Sequence, residues 1–188
     1  MNPIFAAALQ IEGVCSSRRW RFCFIGGLAV LRWGEPRLTR DVDLTLIVGY
    51  GGEAAFVDAL LERFPSRIED AREFALRTRV VLVSASNGVP IDVALGALPF
   101  EERSVVRSSP FAVGKDLTLR TCSAEDLVVH KVFAGRERDW LDVEGVIVRQ
   151  GPDLGREIVW HEVLPLLELK DATGDAERLQ GLFDRDQT

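Results

Sequence analysis

Two aspartates separated by one residue, Asp41 and Asp43, open the apolar alternation DVDLTLIV. Side chains on a strand alternate between faces, so both carboxylates project to one side with Val42 on the other. Two like charges held that close are costly unless a cation lies between them, and hard oxygen donors suit a divalent cation. The spacing alone is weak evidence, because 14 aspartates in 188 residues produce about one such pair by chance. Asp184 and Asp186, in a polar tail, are another and read as solvated charge.

The surroundings distinguish the first pair. Arg21 to Ile25 (RFCFI) reads as a short strand running into Gly26-Gly27, and LAVLRW follows with the apolar density of a buried helix. A glycine turn that opens a helix leaves backbone N–H groups free at the positive end of the dipole, where phosphate oxygens bind. A third carboxylate, Asp92, lies between Ile91 and Val93 on another expected strand and leaves the sheet on the face opposite theirs. Three strand-borne acids beside a glycine turn make a candidate two-metal site for phosphoryl-group transfer. Arg37 and Arg40, just ahead of the acids, are candidate phosphate ligands because a guanidinium pairs bidentately with phosphate.

The elements that must carry these residues are mixed. Asn2-Pro3 caps an opening helix expected to end at Gly13. DVDLTLIV is the second strand, EAAFVDALLERF a helix, and VVLVSA and PIDVAL are strands joined by the turn SNG. From Ser123 the chain turns helical: SAEDLVVHKVFA starts with a capping serine and an acid three residues on, followed by RERDWLDVEGVIVRQ, HEVLPLLELK and DAERLQGLFD. On a continuous helix Lys131, Gly135, Arg138 and Asp142 would share a face, with Gly135 as the weak point. The expected class is α+β, a small mixed β-sheet with flanking helices over residues 1–120 and a helical C-terminal subdomain over residues 121–188.

Composition narrows the partners. With 23 basic against 29 acidic residues the net charge is -6, which excludes a surface built to clamp duplex DNA extensively. Cys15, Cys23 and Cys122 show no CxxC spacing, and with only His130 and His161 beside them a zinc site is excluded. The longest apolar run, Phe22 to Leu31, falls far short of the roughly 20 residues that span a bilayer. No membrane association and a cytoplasmic location are expected. His130 and the four tryptophans read as packed residues.

FIGGLAVLRWGEPRLTRDVDLTL, with thirteen residues between Gly27 and Asp41, resembles the signature of the nucleotidyltransferase superfamily related to DNA polymerase beta. EDLVVHKVFAGRERDWLDV resembles the Lys and Arg-Asp-x-x-Asp motif of its AbiEii-like branch, which includes toxins of toxin–antitoxin and phage-defence systems. The resemblance implies that Gly26 and Gly27 bind a triphosphate, that Asp41 and Asp43 hold metal and that Asp92 completes the triad. It also implies that Lys131 and Asp139 contact the nucleotide. The expected activity is transfer of a nucleoside monophosphate from an NTP to a hydroxyl of RNA, protein or a small molecule. Mg²⁺ or Mn²⁺ is the expected cofactor and a cognate antitoxin a candidate partner. The rival readings are a regulatory or binding module of the same fold and a metal-dependent nuclease acting without triphosphate.

Overall fold

A computed structural model describes residues 2–114 and 117–186, which divide into two units, Met1–Leu28 with Leu38–Thr121 and Ala29–Arg37 with Cys122–Thr188. In the first unit, helix α1 (Pro3–Ser17) is capped by the Asn2 side chain, which accepts from the Ile4 amide at 2.9 Å. It continues through Gly13. That glycine costs a helix about 1 kcal/mol, but the buried stripe of Ala7, Ala8 and Ile11 carries on one turn beyond it to Cys15, so the helix stops at Ser17 instead.

Strand β1 (Phe22–Phe24) leads into helix α2 (Gly26–Trp33), and strand β2 (Val42–Ile47) follows the polar break. Helices α3 (Glu53–Arg63) and α4 (Ala71–Thr78) precede the hairpin of β3 (Val80–Ser84) and β4 (Pro90–Gly96). Helix α5 (Pro99–Arg107) precedes a second hairpin, β5 (Ser109–Gly114) and β6 (Leu117–Thr121). The six strands form one mixed sheet in the order β3-β4-β2-β1-β6-β5, with β2/β4 and β1/β6 parallel and the other pairs antiparallel. Val42, Leu44, Leu46, Ile91 and Val93 are fully buried on one face, so the alternate positions, Asp43 and Asp92 among them, lie on the other.

In the second unit, helix α6 (Ala124–Ala134) is capped by Ser123, whose hydroxyl accepts from the Asp126 amide at 3.1 Å. Gly135 ends it at φ +68°, its amide donating to the Lys131 carbonyl at 2.9 Å, and helix α7 (Glu137–Gln150) begins two residues on. The segment containing Lys131 and Asp142 is therefore two helices, because a left-handed glycine cap terminates the first. Helices α8 (Arg156–Lys170) and α9 (Gly174–Arg185) complete the unit. Residues 29–37 belong with them through side-chain contacts: the Trp33 indole N–H donates to the Cys122 carbonyl at 2.8 Å and the Gln150 amide to the Trp33 carbonyl at 2.8 Å.

Candidate functional site

The adjacent interior strands β4 and β2 of the first unit carry Asp92 and Asp43, and β1 runs beside β2. The Ile25 amide donates to the Asp43 carbonyl at 3.0 Å, which fixes the end of β1 beside the second acid. Asp43 and Asp92 are register partners on the parallel strands β2 and β4, so their side chains leave the same face from backbones about 4.8 Å apart. Asp41 lies one position ahead of β2, and its Oδ1 accepts from the Thr39 hydroxyl at 3.2 Å.

The two glycines are required by these neighbours. Gly26 sits at φ +54°, and a Cβ there would run into the Asp43 side chain, with Cγ at 2.7 Å and Cβ at 2.8 Å. A Cβ on Gly27 would meet the Thr39 side chain, with its Cβ at 2.7 Å. The thirteen-residue return therefore lays Thr39 against Gly27 and Asp43 against Gly26. The carboxylate consequently stands next to the helix N-terminus, the end of a helix that attracts anions.

Asp92 is paired with Arg67, whose Nη2 donates to its Oδ1. Sequence reading missed this arginine because the partners are 25 residues apart and FPSR carries no motif. Arg40 is exposed ahead of Asp41, whereas the Arg37 guanidinium is engaged within the second unit.

Among the described residues no three His, Cys, Asp or Glu side chains converge as a metal cluster. The donors that stand side by side are the carboxylates of Asp43 and Asp92. Magnesium is commonly held by one or two carboxylates plus substrate phosphates, so the chemistry of this donor set, with its glycine cradle, fits that ion or manganese. A surface cavity of about 610 Å³ in the same unit is lined by Leu61, Asp70, Arg72 and Leu76 among others, and by none of Asp41, Asp43 and Asp92. The half-buried carboxylates of Asp43 and Asp92 lie outside that groove.

The second unit holds a separate, buried charge network. The Lys131 ammonium on α6 lies 2.7 Å from Asp139 Oδ1 and 2.9 Å from Asp142 Oδ2, both on α7. Arg37 grips Asp142 with both arms of its fork, Nε to Oδ1 and Nη2 to Oδ2 at 2.7 Å each. Burial pushes the Asp142 carboxyl up, but hydrogen bonds from Arg37 and Lys131 and their charges outweigh it and hold the group below its ordinary value. Asp139 Oδ2 is buried without a hydrogen-bond partner.

Comparison with known proteins then supplies the family. The model of the family described as nucleotidyl transferase AbiEii toxin, type IV TA system, matches residues 11–180. No curated protein matches. Among solved structures, the solution structure of the antibiotic-resistance factor ANT(2'')-Ia is similar at TM-score 0.53 and 16% identity, covering 93% of this chain and 96% of its own. An antigenic nucleotidyltransferase-like protein from Paracoccidioides brasiliensis aligns at TM-score 0.48 and 13% identity, covering 94% and 93% of the two chains. The first of these likenesses supports the fold.

Proposed function

This chain belongs to the AbiEii nucleotidyl transferase toxin family, and from that membership we propose that it is a metal-dependent nucleotidyltransferase that moves a nucleoside monophosphate from an NTP to a hydroxyl group. The observation that carries the reading is the in-register pair Asp43 and Asp92, set against the Gly26 turn at the start of α2. Asp43 and Asp92, with Asp41 beside them, would hold Mg²⁺ or Mn²⁺. A divalent ion there supplies charge neutralisation at the phosphates and lowers the pKa of the attacking hydroxyl.

The chain's own residues position the reactants. Gly26 and Gly27 let the backbone approach the triphosphate, and the amides opening α2 donate to its phosphate oxygens. Thr39 holds the Asp41 carboxylate in one orientation through its hydroxyl. Arg40 is the proposed phosphate contact of the first unit. Lys131 and Asp139 are the proposed nucleotide contacts of the second, as the family motif implies. Arg37 supports that pair by holding Asp142.

RNA, protein and small molecules all remain acceptor classes of the proposal, and the family's type IV designation points to an antitoxin as partner. Pyrophosphate release tests the reading. Purified protein with Mg²⁺, NTPs and an acceptor fraction should release pyrophosphate, and Asp43→Asn should abolish the release with the fold retained. Acceptor cleavage in the absence of NTP would favour a nuclease, and Mg-NTP binding without release would favour a regulatory module.

A further inference from the structure

Arg67 lies outside every motif of the sequence, yet its ion pair joins a cation to Asp92, a carboxylate proposed to hold metal. We propose that Arg67 is an exchangeable counter-charge of the acidic pair: it holds Asp92 in the metal-free protein and is released to nucleotide phosphate when that carboxylate is engaged by a divalent cation. The inference rests on the metal-ligand reading of Asp43 and Asp92 given above.

The backbone geometry fixes where this arginine can reach. Residues 65–67 run along the outer edge of β3: the Arg67 amide donates to the Leu82 carbonyl at 3.1 Å, the Ser84 amide to the Pro65 carbonyl at 2.9 Å, and Ser66 bridges Val83. Leu82 is the register partner of Asp92, and Asp92 that of Asp43. Arg67, Leu82, Asp92 and Asp43 therefore form one row across the sheet, and the arginine side chain spans the width of β3 to reach its carboxylate. The main chain is pinned while the charged end is open, with side-chain exposures of 29% for Arg67 and 35% for Asp92. An ion pair this accessible to water is weak and exchanges without opening the core.

The chemistry of the guanidinium suits both partners. Two neighbouring carboxylates repel each other unless a positive charge intervenes, and Arg67 supplies one. The same planar fork binds phosphate as readily as carboxylate, so a triphosphate arriving beside Asp92 offers the displaced side chain an equivalent partner. Arg67 is then a positioning residue that opposes metal alone and favours metal together with nucleotide.

The test measures two affinities of the full chain that this exchange moves in opposite directions. Mn²⁺ binding is followed by electron paramagnetic resonance without nucleotide, and a non-hydrolysable triphosphate analogue is titrated at saturating Mg²⁺. Arg67→Met should tighten Mn²⁺ by about threefold and weaken the analogue by about tenfold. The Mn²⁺ gain should vanish in an Asp92→Asn background, because the effect acts through that carboxylate. Arg67→Lys, which keeps the charge without the fork, should leave Mn²⁺ affinity near wild type and still weaken the analogue; it serves alone if Arg67→Met does not fold. Unchanged analogue binding in either variant overturns the proposal, as does a Mn²⁺ gain that persists with Asp92→Asn, while the metal reading survives. Wild-type protein that is folded and binds no Mn²⁺ overturns that reading and this proposal with it.

Discussion

Gly26 and Gly27 each abut one residue of the acidic segment, and the consequences of adding a methyl group differ between them. Gly26→Ala faces both a left-handed backbone and the Asp43 side chain, so it should lower stability by about 1–3 kcal/mol and remove metal binding. Denaturant melts and Mn²⁺ titration of the variant check this; wild-type Mn²⁺ affinity would contradict it. Thr39→Val is subtler. It keeps the volume and deletes the hydroxyl's long hydrogen bonds to the Asp41 carbonyl and carboxylate, so stability should change by about 1 kcal/mol while transfer falls about tenfold. Comparing melting temperature with turnover separates the two effects.

Asp142 makes a pH prediction. Its carboxyl is held below its ordinary value by Arg37 and Lys131, so the stability it contributes is complete above the unfolded-state pKa near 3.9 and is lost as pH falls through the lowered folded value. Asp142→Asn should destabilise by about 3 kcal/mol at neutral pH, because it leaves buried charges uncompensated. The difference from wild type should shrink below about pH 4. Urea melts from pH 7 to pH 3 measure it, and a pH-independent difference would contradict the assignment.

At the scale of elements, the left-handed cap at Gly135 sets where α6 stops and hence which residues of α7 face Lys131. Gly135→Ala should destabilise by about 1 kcal/mol through that backbone conformation alone. The added Cβ also approaches Lys170 Nζ at 3.2 Å and Asp175 Oδ2 at 3.3 Å. A variant as stable as wild type would contradict the cap. Much of the site-bearing framework was legible from local pattern: the strand-turn-helix around Gly26, the alternation in β2 and the hairpin of β3 and β4 are each encoded within one short stretch of chain. Helix α4 was not legible, because AREFALRT is short, carries three charged residues and buries only Ala75. Helix α5 begins without Ser, Thr, Asp or Asn as its cap; the Glu101 carboxylate instead accepts from the Ala97 and Leu98 amides at 2.8 and 2.9 Å. The β5–β6 hairpin lies at the sheet edge, where burial pressure on the pattern is weakest.

The candidate site divides the same way. Gly26, Gly27, Asp41, Asp43 and Asp92 could be singled out because residue type and strand alternation act over short range. The pairing of Asp92 with Arg67, of Thr39 with Gly27, and of Arg37 with Asp142 depends on contacts made only after the sheet and helices are assembled. Arg37, near the acidic pair in sequence, pairs in the structure with Asp142, 105 residues further along the chain on α7.

For the whole molecule, the charge of -6 and the two-unit division bear on what the enzyme can grip. Counterion release drives duplex binding, and an acidic chain has few phosphate contacts to offer. A labelled DNA duplex should bind more weakly than about 10 µM at physiological salt, as read by fluorescence anisotropy. Tight binding with a steep salt slope would contradict this. No helix among the described residues is long and apolar enough to cross a membrane. The family supplies the reaction class, and the Gly26–Asp43–Asp92 geometry is the place proposed for it.

Following the α-phosphate tests that claim most directly. Wild-type protein and Asp43→Asn are incubated with Mg²⁺, total bacterial RNA and protein, and each of the four NTPs labelled in turn at the α- or the γ-phosphate. The account predicts α-label, never γ-label, in a single macromolecular band with wild type, and none with Asp43→Asn. Transfer of γ-label, or α-label transfer that Asp43→Asn leaves intact, would contradict it.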